Sequence, residues 1–160
     1  MTLAMVCQND KGLLLASDSQ VLREMDGGHM ERATMRHIYG LGTHAGAIAF
    51  GDVLAVELCA RLAQWLQARH ALDLDDTLAM SREFLAAGLT QHLREQAEKG
   101  QPAPRQIAFV IGGCSPAGAG GCRAVLLQSE AGELPFQEAE LGRVFTLPRR
   151  LVLEGRIMRR

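Results

Sequence analysis

Cysteine, histidine and serine side chains are the obvious places to look for chemistry in this sequence, and their spacing argues against the common chemistries. The four cysteines stand at 7, 59, 114 and 122, with no CxxC pair and no histidine at ligand spacing beside them. A zinc site needs closely paired ligands, so none is expected. Cys7 and Cys59 fall within apolar segments, where a reduced, buried thiol is the usual state. The five histidines, at 29, 37, 44, 70 and 92, form neither an HExxH motif nor an i,i+4 pair. No metal and no other cofactor is therefore expected. Ser115 and Ser129 lack the G-x-S-x-G setting of a nucleophile elbow. The glycine-rich stretch from Gly112 to Gly121 is not followed by a helix pattern, so it reads as a long hairpin turn rather than a phosphate loop. Met25, Met30 and Met35 read as gap fillers or interface residues.

The elements around these residues change period along the chain. Thr2–Cys7 and Leu13–Ser17 are apolar, extended runs flanking the turn residues Gln8 to Gly12, which predicts a hairpin. Glu24–Ala33 is polar and carries Gly27 and Gly28, the character of a loop or weak strand. Met35–Tyr39 and Ala45–Phe50 read as a second strand pair. Leu54, Leu58, Leu62, Trp65 and Leu66 then recur at helical spacing, predicting a helix over Asp52–His70 with Asp52 as N-cap. A second helix is predicted over about Asp76–Lys99, stopped by Gly100, Pro102 and Pro104. The short joint Ala71–Asp75 should set the two helices antiparallel. Strands are expected again at Gln106–Ile111 and Cys122–Gln128, and beyond Ser129 only short apolar pieces remain. Strands, then two helices, then strands indicate α+β layering rather than alternating βαβ units.

Bulk properties agree with one soluble domain spanning 1–160. With 48% hydrophobic and 22% charged residues, the composition is that of an ordinary globular chain. A chain of this size buries roughly 70% of its unfolded surface, enough for a core without staples. The net charge of −1 gives no field that would draw nucleic acid or an anionic membrane, and aromatics for base stacking are scarce. The basic run from Arg149 to Arg160 reads as a solvated tail or part of an interface. The start, Met1–Gln8, lacks the basic region and long apolar run of a signal peptide, so a cytoplasmic location is expected.

Met-Thr, an apolar strand, a tight turn with Gly12, and then LLLASDSQ together resemble the opening of proteasome β-subunits and the related bacterial heat-shock-locus peptidase. Arg36-His37-Ile38-Tyr39, then GAIAFGD over Gly46–Asp52, then two helices continue the same succession. The likeness runs over roughly the first 130 residues by order of elements. It implies an N-terminal-nucleophile hydrolase-like αββα sandwich and a threonine-type peptidase or amidase. Thr2 would be the nucleophile after removal of Met1, with Asp18 as its charged partner. It also implies a peptide or protein substrate, a homo-oligomeric ring and, as a further partner, an unfoldase ATPase.

The position of Thr2 has a physical reason. A hydroxyl needs a base at neutral pH. A free α-amino group, with a pKa of roughly 7.7–8.0, supplies that base within the same residue. Three departures from the family stand beside the likeness. The active-site lysine position falls at Thr34, and the chain's two lysines, Lys11 and Lys99, lie elsewhere; Arg32 and Arg36 are the nearest cations. Arginine does not release its proton, so it cannot relay one. The oxyanion-hole position, a backbone N–H donor, falls at Ile48 rather than glycine. The family's Gly-Ser-Gly stretch and second helix pair have no counterpart after Leu141, so the sandwich is expected to be incomplete at that end. Alternatives to the peptidase are therefore an inactive proteasome-like assembly or binding subunit, and a truncated family member.

Overall fold

The computed structural model describes residues 3–24, 30–69, 73–115 and 121–147. A five-stranded antiparallel sheet forms its middle. Its strands, in spatial order, are β5 (Ile38–Gly40), β6 (Ala45–Gly51), β7 (Gln106–Cys114), β8 (Cys122–Glu130) and β9 (Gln137–Glu140). Against one face lie the helices α1 (Val53–Gln67) and α2 (Leu74–Glu98). Against the other lies a three-stranded sheet in the order β10 (Val144–Leu147), β1 (Ala4–Asn9), β2 (Gly12–Ser17). A separate ribbon pairs β3 (Gln20–Glu24) with β4 (Met30–Thr34).

The period of two along β6, β7 and β8 sorts side chains between two cores. Ala47, Ala49, Ile107, Phe109, Ile111, Val125 and Leu127 face the helices. Ile48, Ala108, Val110, Ala124 and Leu126 face Ala4, Val6 and Phe145 of the smaller sheet. Strand β7 is buried on both faces, which is why Ile107–Ile111 is a continuous apolar run rather than an alternation.

Helix α1 begins where Asp52 accepts the Leu54 N–H at 3.1 Å, and α2 where Asp73 accepts the Asp76 N–H at 2.8 Å. The second helix thus starts about two residues earlier than its apolar period suggested, because Asp73 rather than a later aspartate caps it. A Cβ at Gly88 would stand 2.6 Å from Leu58 Cδ2, so glycine there lets the two helices approach closely. Trp65 and Phe84 pack on each other with ring centroids 5.1 Å apart, and the Arg69 guanidinium covers Trp65 at 3.5 Å. The two partly buried rings thus pack within the helix pair.

Among the described residues the layers number three: helices, sheet, sheet. The α+β arrangement is present, and no described helix lies on the outer face of the smaller sheet. On that face Leu3 and Leu14 remain 47% and 55% exposed. Two short strands lie where only scattered apolar pieces were legible. Strand β10 closes back on β1 with Ala4 opposite Leu147, and β9 borders β8 with its four residues exposed. The polar stretch expected as a loop or weak strand over Glu24–Ala33 contains β4, paired to β3 from Gln20↔Thr34 to Glu24↔Met30.

Candidate active site

The β1–β2 hairpin decides what the chain start can meet. At its closed end Asn9 Oδ1 accepts the N–H groups of Lys11 and Gly12 at 2.9 and 3.0 Å, fixing the turn. From there the register runs Asn9↔Gly12 to Ala4↔Ser17. One step further, Leu3 faces Asp18. The Asp18 N–H donates to the Leu3 carbonyl at 3.0 Å, and the Leu3 N–H donates to Asp18 Oδ1 at 3.0 Å. The carboxylate takes the place a main-chain carbonyl would have, while the Asp18 carbonyl accepts the Ser17 hydroxyl at 2.9 Å. A half-buried carboxylate is thereby held on the peptide N–H that directly follows Thr2. Thr2 itself lies outside the described residues.

The same locality collects the start of the next segment. The Met35 N–H donates to the Ser19 carbonyl at 2.8 Å, extending the β3–β4 ladder toward Asp18. Thr34, at the end of β4 opposite Gln20, is exposed. Neither lysine is near: Lys11 sits in the turn at the other end of the hairpin, and Lys99 caps the C-terminus of α2. The guanidinium of Arg36 is engaged locally, its Nε donating to the Ile38 carbonyl at 2.7 Å and its Cζ lying 5.2 Å from the Tyr39 ring centre.

Ile48 lies in the middle of β6, fully buried, in register with Ile38 on one side and Val110 on the other. Its neighbour Ala49 donates its N–H to His37 on the β5 side. Amide directions alternate along a strand, so the Ile48 N–H points to β7 as a ladder donor. A free oxyanion donor there would require β6 to release a ladder bond.

Three features escaped the sequence reading. His37 is 4% exposed; its Nδ1–H donates to the Ala49 carbonyl at 3.1 Å, and its buried Nε2 has no partner. Gly51 ends β6 with φ +100°, just before the cap of α1. Cys114 and Cys122 are joined as a disulfide across the end of the β7–β8 hairpin. The signal for the last was a turn-rich stretch flanked symmetrically by two cysteines. Among the described residues no three His, Cys, Asp or Glu side chains converge as a metal site, and no helix is long and apolar enough to cross a membrane. A cleft of about 670 Å³ opens beside Gly51, Asp52, His92, Gln96 and Arg105, and its walls do not include Asp18.

No protein-family model and no curated protein matches the sequence. Solved structures do match it. Anbu (ancestral beta-subunit) from Yersinia bercovieri superposes with a TM-score of 0.63 at 14% identity, over 99% of this chain and 65% of that one. Anbu from Hyphomicrobium sp. strain MC1 gives a TM-score of 0.57 at 14% identity, again over 99% and 65% of the two chains. The fold is proteasome-like. A Gly-1 mutant of the Hyphomicrobium protein matches over 94% of this chain and 62% of its own, at 14% identity and a TM-score of 0.56. The chain thus spans less than two thirds of the length of these Anbu structures.

Proposed function

We propose that the protein is a threonine-type N-terminal-nucleophile peptidase or amidase acting through Thr2 once Met1 is removed. The observation that carries this reading is the Asp18 carboxylate on the Leu3 N–H, one residue from the proposed nucleophile. In the reaction, the Thr2 α-amine takes the proton of its own hydroxyl as the oxygen attacks an amide carbon. The tetrahedral adduct collapses, the leaving amine departs with that proton, and an ester on Thr2 is hydrolysed by water. Asp18 fixes the strand start and favours the ammonium that forms between these steps. Asp18→Asn keeps an acceptor for the Leu3 N–H but removes the charge, so turnover of a peptide amide should fall about 10²-fold, within the range for acid–base groups. Unchanged turnover would remove Asp18 from the mechanism. Whether Met1 is absent is read directly by intact mass, and a retained Met1 in an active preparation would refute the reading.

The second reading is a proteasome-like assembly or binding subunit without catalysis. It is favoured by exposed Thr34 in the lysine position and by the ladder-bound Ile48 amide. Both readings share a homo-oligomer, suggested by the match to a beta-subunit, and a ring of this kind would present peptide or unfolded protein, delivered by an unfoldase ATPase, to its interior. Light scattering should give a mass several times the 17.4 kDa of one chain at micromolar concentration. A strict monomer would exclude the ring.

A further inference from the structure

The four cysteines fall into different chemical settings. Cys59 is completely buried on α1, and burial pushes its thiol up to about 12, so it holds no useful thiolate at neutral pH. Cys7 is a free, half-buried thiol on β1. Cys114 and Cys122 face each other across the last register pair of the β7–β8 ladder, and both are half-buried rather than sealed in the core. The Cys114 N–H donates to the His44 carbonyl at 3.0 Å on the β6 side. Amides alternate in direction along an antiparallel strand, so toward β8 these two residues form a non-hydrogen-bonded pair, the kind whose side chains stand closest.

That opposition does not depend on the sulfur–sulfur bond. Register pairs from Gln106↔Glu130 to Gly113↔Arg123 hold the two strands together along their whole length. Gly113 also lies flat on the backbone of His44 and Ala45, where a Cβ would have no room. The cysteines stay opposed when reduced, and a mixed disulfide on either is resolved by its neighbour in an intramolecular step.

We propose that Cys114 and Cys122 form a reversible dithiol–disulfide switch that exchanges with low-molecular-weight thiols and disulfides, tying or releasing the end of the β7–β8 ladder at Ser115 and Gly121 while the domain stays folded. In the oxidising direction one cysteine thiolate attacks a sulfur of the small disulfide, whose S–S bond breaks and releases one small thiol. The second thiolate then attacks the cysteine sulfur of the mixed disulfide and releases the other. The protein loses two electrons and two protons, and the small disulfide becomes two thiols. The ladder already joins the two strands, so the staple acts locally, on the bond from the Ser115 N–H to the Gly121 carbonyl at 3.2 Å.

The test equilibrates the full chain in buffers of varied reduced-to-oxidised glutathione ratio, followed by iodoacetamide, intact mass and peptide mapping. Labels at Cys114 and Cys122 should appear together as the ratio becomes reducing, with unchanged far-ultraviolet circular dichroism and an unlabelled Cys59. Exchange of the Ser115 amide should quicken about tenfold in the reduced form, a local opening. Cys114→Ser should accumulate a glutathione adduct on Cys122, for want of the resolving thiol. Labelling of Cys114 and Cys122 independent of the ratio in the folded chain would overturn the proposal, and so would global unfolding on reduction.

Discussion

Thr2→Ala is expected to abolish amide hydrolysis, a loss of at least about 10³-fold relative to the chain lacking Met1, because the proposed mechanism places nucleophile and base in that one residue. The fold should survive. The hairpin register starts at Ala4↔Ser17, and the Leu3–Asp18 bonds use main-chain atoms of Leu3, not the Thr2 side chain. A native circular dichroism spectrum beside lost turnover would therefore separate chemistry from stability. The parent activity should itself be low. If Thr34 takes the place of the family's lysine, as the resemblance implies, proton transfer would forfeit roughly 10²–10⁴-fold. A weakened oxyanion donor at Ile48 would forfeit roughly 10²–10³-fold more. Equal turnover in parent and Thr2→Ala, in protein free of contaminating peptidase, would place the chemistry elsewhere.

The largest stability effect is expected at the strand–helix junction. Gly51 has φ +100°, and a Cβ there would stand on the Gln106 carbonyl oxygen. That oxygen also accepts the Asp52 N–H at 2.9 Å, and Asp52 in turn caps α1. Alanine at position 51 must relax an unfavourable backbone and push apart β6 and β7, and the cap moves with them. Strained φ and overpacking each cost on the order of 1–3 kcal/mol, so Gly51→Ala should lose about 4 kcal/mol. Against a typical stability of roughly 5–15 kcal/mol this is severe. Gly12→Ala is the matched control: a Cβ there meets nothing within 4 Å. Its urea midpoint should barely move, whereas that of Gly51→Ala should fall sharply. Similar midpoints would contradict the junction.

Local pattern carried the helices, the β1–β2 hairpin and the paired strands β7 and β8, because each buries enough side chains to impose its own period. Leu54, Leu58 and Leu62 could hardly be anything but one helical stripe. The register that sets Leu3 opposite Asp18 was equally legible, since a two-residue turn at Asp10–Lys11 fixes the pairing along the hairpin; Thr2 lies one residue beyond it, outside the described residues. Pairings that depend on distant partners were not legible. Val144–Leu147 is too short to show a period, and its place beside β1 is set by the chain's other end. Gln137–Glu140 is an exposed edge whose polar residues suit solvent, with Glu138 held by Arg82 of α2 at 2.5 Å. The cysteine pair at 114 and 122 stayed hidden because opposition across a hairpin follows from exact register, and a glycine-rich bend leaves register open. His37 lost its visible role for a related reason: its carbonyl partner on Ala49 comes from the neighbouring strand.

The catalytic reading stands or falls on one measurement: covalent labelling by a threonine-directed electrophile, read by intact mass and peptide mapping in protein shown to lack Met1. A stoichiometric adduct on Thr2, absent from Thr2→Ala and slowed in Asp18→Asn, is the predicted result. No adduct on Thr2 in such protein would contradict it and leave a non-catalytic proteasome-like subunit.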